Sequence, residues 1–238
     1  MIRNLVVSLA CVISATCLAQ SDYQYRMEIG AGVGVVTYQG DFGGSLTKNM
    51  QPMASVVLRR VFNPYMALKF SAAYGKLKGS SADSNTYYPD YATTPYKFNK
   101  TLVDAGVTYE YNFWPYGTGQ DYRGAKRLTP FIFAGLGATY AGGDGDNAFT
   151  ANVPIGLGVK YKAGKRLNVA LEWAEHFSMS DKLDGVKDPY GIKSSGLFKN
   201  TDCYSAIQLT LTYSFMPKCR TCHNEDDKTI SNNDQPTR

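Results

Sequence analysis

The stretch VDAGVTYEYNF, residues 103–113, places Val103, Ala105, Val107, Tyr109, Tyr111 and Phe113 in one row and Asp104, Gly106, Thr108, Glu110 and Asn112 in the other. Successive side chains of an extended chain point to opposite faces, so this alternation reads as a strand with one apolar and one polar side. The apolar row is continuous and ends in aromatics, while the polar row carries carboxylates in mid-strand. Which of the two rows faces inward decides the fold.

The same pattern recurs seven more times. Met27, Ile29, Ala31, Val33 and Val35 oppose Arg26, Glu28, Gly30, Gly32 and Gly34. Ala54, Val56 and Leu58 oppose Ser55, Val57 and Arg59. After the turn signal Asn63-Pro64, the row Met66, Leu68, Phe70, Ala72, Tyr74 opposes Ala67, Lys69, Ser71, Ala73 and Gly75. Further runs are centred on Leu136, Leu157, Leu171 and Leu211. Their opposite rows hold Phe131, Phe133, Lys160, Glu172 and His176 among glycines and small polar residues. Polar loops are expected from Lys76 to about Tyr96 and from about Ser178 to Asn200, and a long basic turn from Trp114 to Leu128.

Eight runs, with short and long connections alternating, predict an all-β fold: an eight-stranded antiparallel up-and-down transmembrane barrel. A soluble lipocalin-like barrel or a sandwich would place its apolar face inside. Here the other row carries Arg26, Glu28, Arg59, Lys69, Asp104, Glu110, Lys160 and Glu172, charges of both signs separated by glycines. A charge facing lipid costs roughly 2–4 kcal/mol at the bilayer midplane, which accounts for the segregation. The eight charges are therefore expected to form an interior network, paired across a lumen too narrow for open diffusion. Aromatics such as Tyr74, Tyr140, Tyr161, Trp173 and Tyr213 lie where the apolar rows end, as girdles at the two interfaces.

The termini set the compartment. Residues 1–19 combine Arg3, an apolar run from Leu5 to Leu18 and a closing Ala19, which reads as a secretory signal rather than a transmembrane helix or a lipoprotein signal. Residues 20–215 form the barrel, closed by the terminal aromatic Phe215, and 216–238 a polar periplasmic tail. Both termini are expected in the periplasm and the barrel in the outer membrane. The mature chain then keeps Cys203, Cys219 and Cys222 in an oxidising space. CRTCH formally matches a haem-attachment motif, but the tail offers neither an apolar pocket nor a second axial ligand. Zinc would need more ligands than Cys219, Cys222 and His223. A disulfide, within the tail or to a partner, is the leading reading, and no cofactor is expected. Cys203 lies on the lipid-facing parity, far from the tail.

No catalytic residue is expected. His176, Ser178 and Asp181 near one rim could assemble a hydrolytic site on lipid or peptide, but three polar residues at a loop edge are commonplace. The glycine runs GAGVG and GLGVK lack the strand-to-helix setting of a phosphate loop. With 25 basic and 20 acidic residues and no long single-sign run, nucleic acid is not suggested.

EIGAGVGVVTYQGDF (28–42), RRVFNPYMALKFSAAYGKLKG (59–79), YEYNFWPYG (109–117), TPFIFAGLGATY (129–140) and VPIGLGVKYKAGKRLNVALEW (153–173), in that order, resemble the PorG-type outer-membrane barrels that accompany type IX secretion machinery. The resemblance implies a structural anchor for a periplasmic ring built from a lipoprotein and a soluble partner. It implies that the turn from Trp114 to Leu128 and the tail face that ring. No catalytic residues come with it. A generic small barrel serving adhesion, envelope integrity or a narrow pore is the alternative.

Overall fold

The computed structural model describes residues 25–39, 49–80, 97–117, 125–143, 147–179 and 203–217. They form eight strands: β1 (Tyr25–Gln39), β2 (Gln51–Asn63), β3 (Met66–Ser80), β4 (Lys97–Asn112), β5 (Leu128–Gly143), β6 (Ala148–Lys162), β7 (Leu167–Ser178) and β8 (Cys203–Pro217). Every neighbouring pair is antiparallel, and β8 closes on β1 through a ladder from Tyr25 opposite Pro217 to Gln39 opposite Cys203. Closure removes both sheet edges, so every strand has a hydrogen-bonding neighbour on each side. That is the condition for crossing hydrocarbon without water.

The apolar rows face out. Val33, Leu136, Leu157, Leu171 and Leu211 are exposed, while Glu28, Arg59, Lys69, Glu110, Lys160 and Glu172 are all buried. No soluble protein gains from that arrangement, and in lipid it is the stable one. The chain is a membrane-spanning barrel.

Inward glycines make room for inward rings. Phe131 and Phe133 on β5 pair with Gly158 and Gly156 on β6. A Cβ at Gly156 would lie 2.4 Å from the Phe133 ring and 2.3 Å from the Trp173 carbonyl oxygen. The glycine is thus required by close approach.

Two sequence expectations are corrected at the end where the longer connections lie, here the loop end. Lys76 to Ser80 was expected to be loop but belongs to β3, and β4 starts at Lys97 rather than near Val103. The interior there is also more apolar than the inward rows suggest, although Lys100 is buried at the level of Leu77. Val36, Tyr38, Met53, Leu77, Phe98, Leu102, Ala141, Ala148, Tyr204 and Ala206 form an apolar cluster inside the barrel, while Lys76, Lys78 and Asn99 on the same strands point out and are exposed. On β3 and β4 the polarity of the two faces inverts along the strand. A spanning strand needs about 9–11 residues, whereas β3 has 15 and β4 has 16. The excess continues past the bilayer, where water outside demands polar residues outside and an apolar core within. Period-two alternation survives the inversion, but the row assigned to lipid changes.

At the opposite, turn end the barrel is capped. The described part of the β4–β5 connection packs against the β2–β3 turn: the Tyr116 amide donates to the Pro64 carbonyl (3.1 Å), and Asn112 Nδ2 donates to the same oxygen (2.9 Å). Tyr116 pairs with Lys126 in a short parallel bridge. β8 runs two residues beyond Phe215, which lies opposite Met27.

Candidate functional site

The lumen is the place where chemistry-bearing side chains converge. Glu28, Arg59 and Lys69 are side by side on β1, β2 and β3, because Glu28 pairs with Arg59 and Arg59 with Lys69 in register. Arg59 is the hub. Its Nη1 donates to Glu28 Oε2 at 2.7 Å, and its Nη2 to Glu110 Oε1 at 3.2 Å and Glu172 Oε1 at 3.4 Å. Its Nε lies 2.8 Å from Glu110 Oε2, an ion-pair contact whose N–H direction misses a hydrogen bond.

Two lysines complete the charge balance. Lys69 Nζ donates to Glu172 Oε2 and Lys160 Nζ to Glu110 Oε2, each at 2.5 Å. Each ammonium also sits over a ring from β5: Lys69 is 4.4 Å from the Phe133 centroid and Lys160 is 4.1 Å from that of Phe131. Gln208 Nε2 donates to Glu172 Oε2 at 2.9 Å, and Thr212 Oγ1 to Glu28 Oε2 at 3.2 Å. All eight strands therefore contribute. Three carboxylates face three cations, and the side chains of all six are at most 5% exposed. Leaving one such charge unpaired is costly, which ties the strands to one another across the lumen.

Two of the eight expected network residues lie elsewhere. Arg26 has the inward parity but is exposed at the turn-end rim, one level below Glu28, where parity no longer implies burial. Asp104 belongs to a second cluster nearer the loop end. Its Oδ2 accepts from Thr139 Oγ1 (2.9 Å), Asn152 Nδ2 (2.6 Å) and Tyr204 OH (2.7 Å). His176 stacks on Tyr204 with centroids 4.4 Å apart, and its Nδ1 is 4.0 Å from Asp104 Oδ2.

Below the ionic layer Tyr116 fills the mouth, its hydroxyl donating to Asn168 Oδ1 at 3.1 Å. Burial at the mouth pushes its phenol well above the ordinary tyrosine value, with Glu28 and Glu110 acting in the same direction and Arg59 against it. The phenol is therefore a neutral donor throughout the physiological range.

Ser178 and His176 both have inward parity, and the Ser178 hydroxyl donates to Thr150 Oγ1 at 3.3 Å. Asp181, Cys219, Cys222 and His223 lie outside the described residues. Cys203 opens β8, opposite Gln39 and Phe177, at half-buried exposure. Sequence parity places Tyr204, Asn152 and Gln208 on inward rows but gives no signal of which partner they reach, and Tyr116 lies in a connection where no row exists. Sequence parity also missed Glu175, a carboxylate of outward parity on β7. Glu175 accepts from Trp173 Nε1 (3.1 Å) and Gln39 Nε2 (3.3 Å), and it flanks an external apolar groove of about 630 Å³ over β4 to β7.

A family model described as Domain of unknown function (DUF6089) matches residues 3–224. The chain belongs to that family. No curated protein matches it. Among solved structures, the family member is similar to Neisserial surface protein A, with 13% identity, a TM-score of 0.46 and coverage of 79% of this chain and 97% of that one. It is similar to the N-terminal β-barrel domain of Pseudomonas aeruginosa OprF, with 13% identity, a TM-score of 0.41 and coverage of 80% and 99%. It is also similar to Ail, the attachment invasion locus protein of Yersinia pestis, with 9% identity, a TM-score of 0.44 and coverage of 82% and 100%.

Proposed function

We propose that the barrel is a structural outer-membrane anchor that scaffolds a periplasmic protein-secretion complex of the type IX kind. The observation that carries the structural role is the filled lumen. Arg59 joins three carboxylates at one level, an apolar cluster fills the loop half, and Tyr116 closes the turn end. Such an interior gains rigidity rather than permeability. The secretion partner rests on the ordered motifs from Glu28 to Trp173 that resemble PorG-type barrels. In this reading the turn end, the connection through Trp114 and Tyr116, and the tail carrying Cys219 and Cys222 face the periplasm. There they meet a lipoprotein and a soluble ring component.

The test is mild cross-linking in native membranes, followed by recovery of a tagged barrel. A periplasmic lipoprotein and a soluble partner should come with it, in amounts reduced when Cys219 and Cys222 are both serine. Planar bilayers should show no steady conductance. Ion conduction by the wild-type barrel, with no periplasmic protein recovered, would replace the anchor with a narrow pore.

A further inference from the structure

At or beside each of the three turn-end connections an exposed cation is held against an aromatic face. Near the turn end of β2 the Arg60 guanidinium lies 5.6 Å from the Phe62 ring. At the β4–β5 connection Lys126 Nζ lies 4.6 Å from the Trp114 ring. At the β6–β7 turn the Arg166 guanidinium lies 5.4 Å from Tyr25 and 6.0 Å from Tyr213. All three cations are exposed, and so are Arg26 and Arg127 at the same end.

Among the described residues no carboxylate is exposed at that end. The described residues contain five carboxylates. Glu28, Asp104, Glu110 and Glu172 are buried inside, and Glu175 lies toward the loop end opposite Ser205. Among the described residues the turn-end collar is therefore basic without an exposed acid. It also adjoins the edge of the apolar belt, since Leu128, Tyr161, Leu167 and Tyr213 are exposed at the same level. A cation at that height sits where lipid headgroups begin, and its aromatic neighbour sits where the acyl chains begin.

Arg166 shows the construction most fully. Its Nε donates to the Tyr25 hydroxyl at 3.2 Å and its Nη1 to the Tyr213 hydroxyl at 2.9 Å. Two phenols from β1 and β8 thus orient the guanidinium, and a guanidinium has five N–H donors. The remaining donors suit the oxygens of a phosphate, the group that a planar fork binds best.

We propose that these three stations bind the phosphate groups of anionic phospholipids in the leaflet at the turn end. They are spaced around the circumference, so each takes a separate lipid, and together they set the depth and tilt of the barrel. The proposal does not depend on which compartment the turn end faces, nor on the scaffold reading.

The experiment reconstitutes the full chain in nanodiscs holding equal amounts of phosphatidylglycerol and phosphatidylcholine. Native mass spectrometry then counts the lipids retained by the released barrel. Wild type should retain phosphatidylglycerol preferentially. The preference should fall between 0.1 M and 1 M salt, as the screening length drops from about 10 Å to about 3 Å. Arg60→Gln, Lys126→Gln and Arg166→Gln should each reduce retention roughly fivefold, the scale of one basic residue at an anionic surface. The triple variant should lose the preference. Heat-modifiable mobility reports whether each variant is folded, and the wild-type salt series needs no variant. Equal retention of the two lipids by wild type overturns the proposal. So does a folded triple variant that keeps the preference, which would leave the collar to an acidic protein surface.

Discussion

The two halves of the lumen are built from different materials. Toward the turn end, Arg59, Lys69 and Lys160 are interleaved with Glu28, Glu110 and Glu172. Toward the loop end, Val36, Leu77, Phe98 and Leu102 pack with Tyr38, whose ring meets that of Phe98 edge-on at 5.1 Å. The difference follows from what surrounds each half. Where lipid is outside, the apolar residues are drawn outward and only charge balance can hold the interior. Where water is outside, apolar residues are drawn inward, and the interior is a mainly apolar cluster that also encloses Lys100. One closed sheet therefore works as a membrane barrel along part of its length and as a soluble barrel along the rest.

The sharpest way to break this comparison is to remove the ionic hub. Arg59→Met leaves Glu28, Glu110 and Glu172 facing one another with only the two lysines, and should cost about 3–5 kcal/mol. Urea unfolding in lipid vesicles measures it. A variant as stable as wild type would mean that the carboxylates take up protons and the network is not what holds the turn half.

In the loop half, Leu102→Ala should cost about 3 kcal/mol through lost burial and a cavity, since Leu102 is fully buried. The same unfolding assay reads it. If Leu102 projected into a wet vestibule instead, the change would be nearly neutral.

The boundary between the halves is open to an arginine scan along the outward row of β3. Phe70→Arg, near the middle of the apolar belt, should cost about 2 kcal/mol or more, while arginine in place of Lys76 should cost nothing measurable, because that level is beyond the bilayer. Equal costs at the two positions would place Lys76 in lipid and cancel the inversion.

The smallest effect concerns the cap. Tyr116→Phe removes the hydrogen bond to Asn168 while keeping the ring in the mouth, and should lower stability by about 1 kcal/mol. Conductance should not rise, since the ring and the ionic layer both remain.

Much of the barrel was legible before any coordinates. The clean rows around Glu110, Lys160 and Glu172 follow from period two and from the cost of a charge in lipid, and they place those residues inside. The loop-half core was not legible in the same way. Leu77 and Phe98 lie on rows that, continued from Lys69 and Glu110, should be polar, and Lys76 and Lys78 looked like the start of a loop. Arg26 failed for the converse reason, since it keeps the inward parity but is exposed at the rim of the barrel.

What the sequence by itself determined is the set of alternating runs, their even number and the segregation of charge from the lipid face, all of which depend only on local geometry and solvent. What the tertiary structure alone decided is register. Register puts Glu28 beside Arg59 and Arg59 beside Lys69, sends Asp104 to Tyr204 rather than to the ionic hub, and brings Arg166 against Tyr25 and Tyr213. Sliding one strand by two residues would preserve every row and change every partner. The choice among such slides is made by the packing of Phe131 and Phe133 over Gly158 and Gly156 and by closure of β8 on β1, which no single strand encodes.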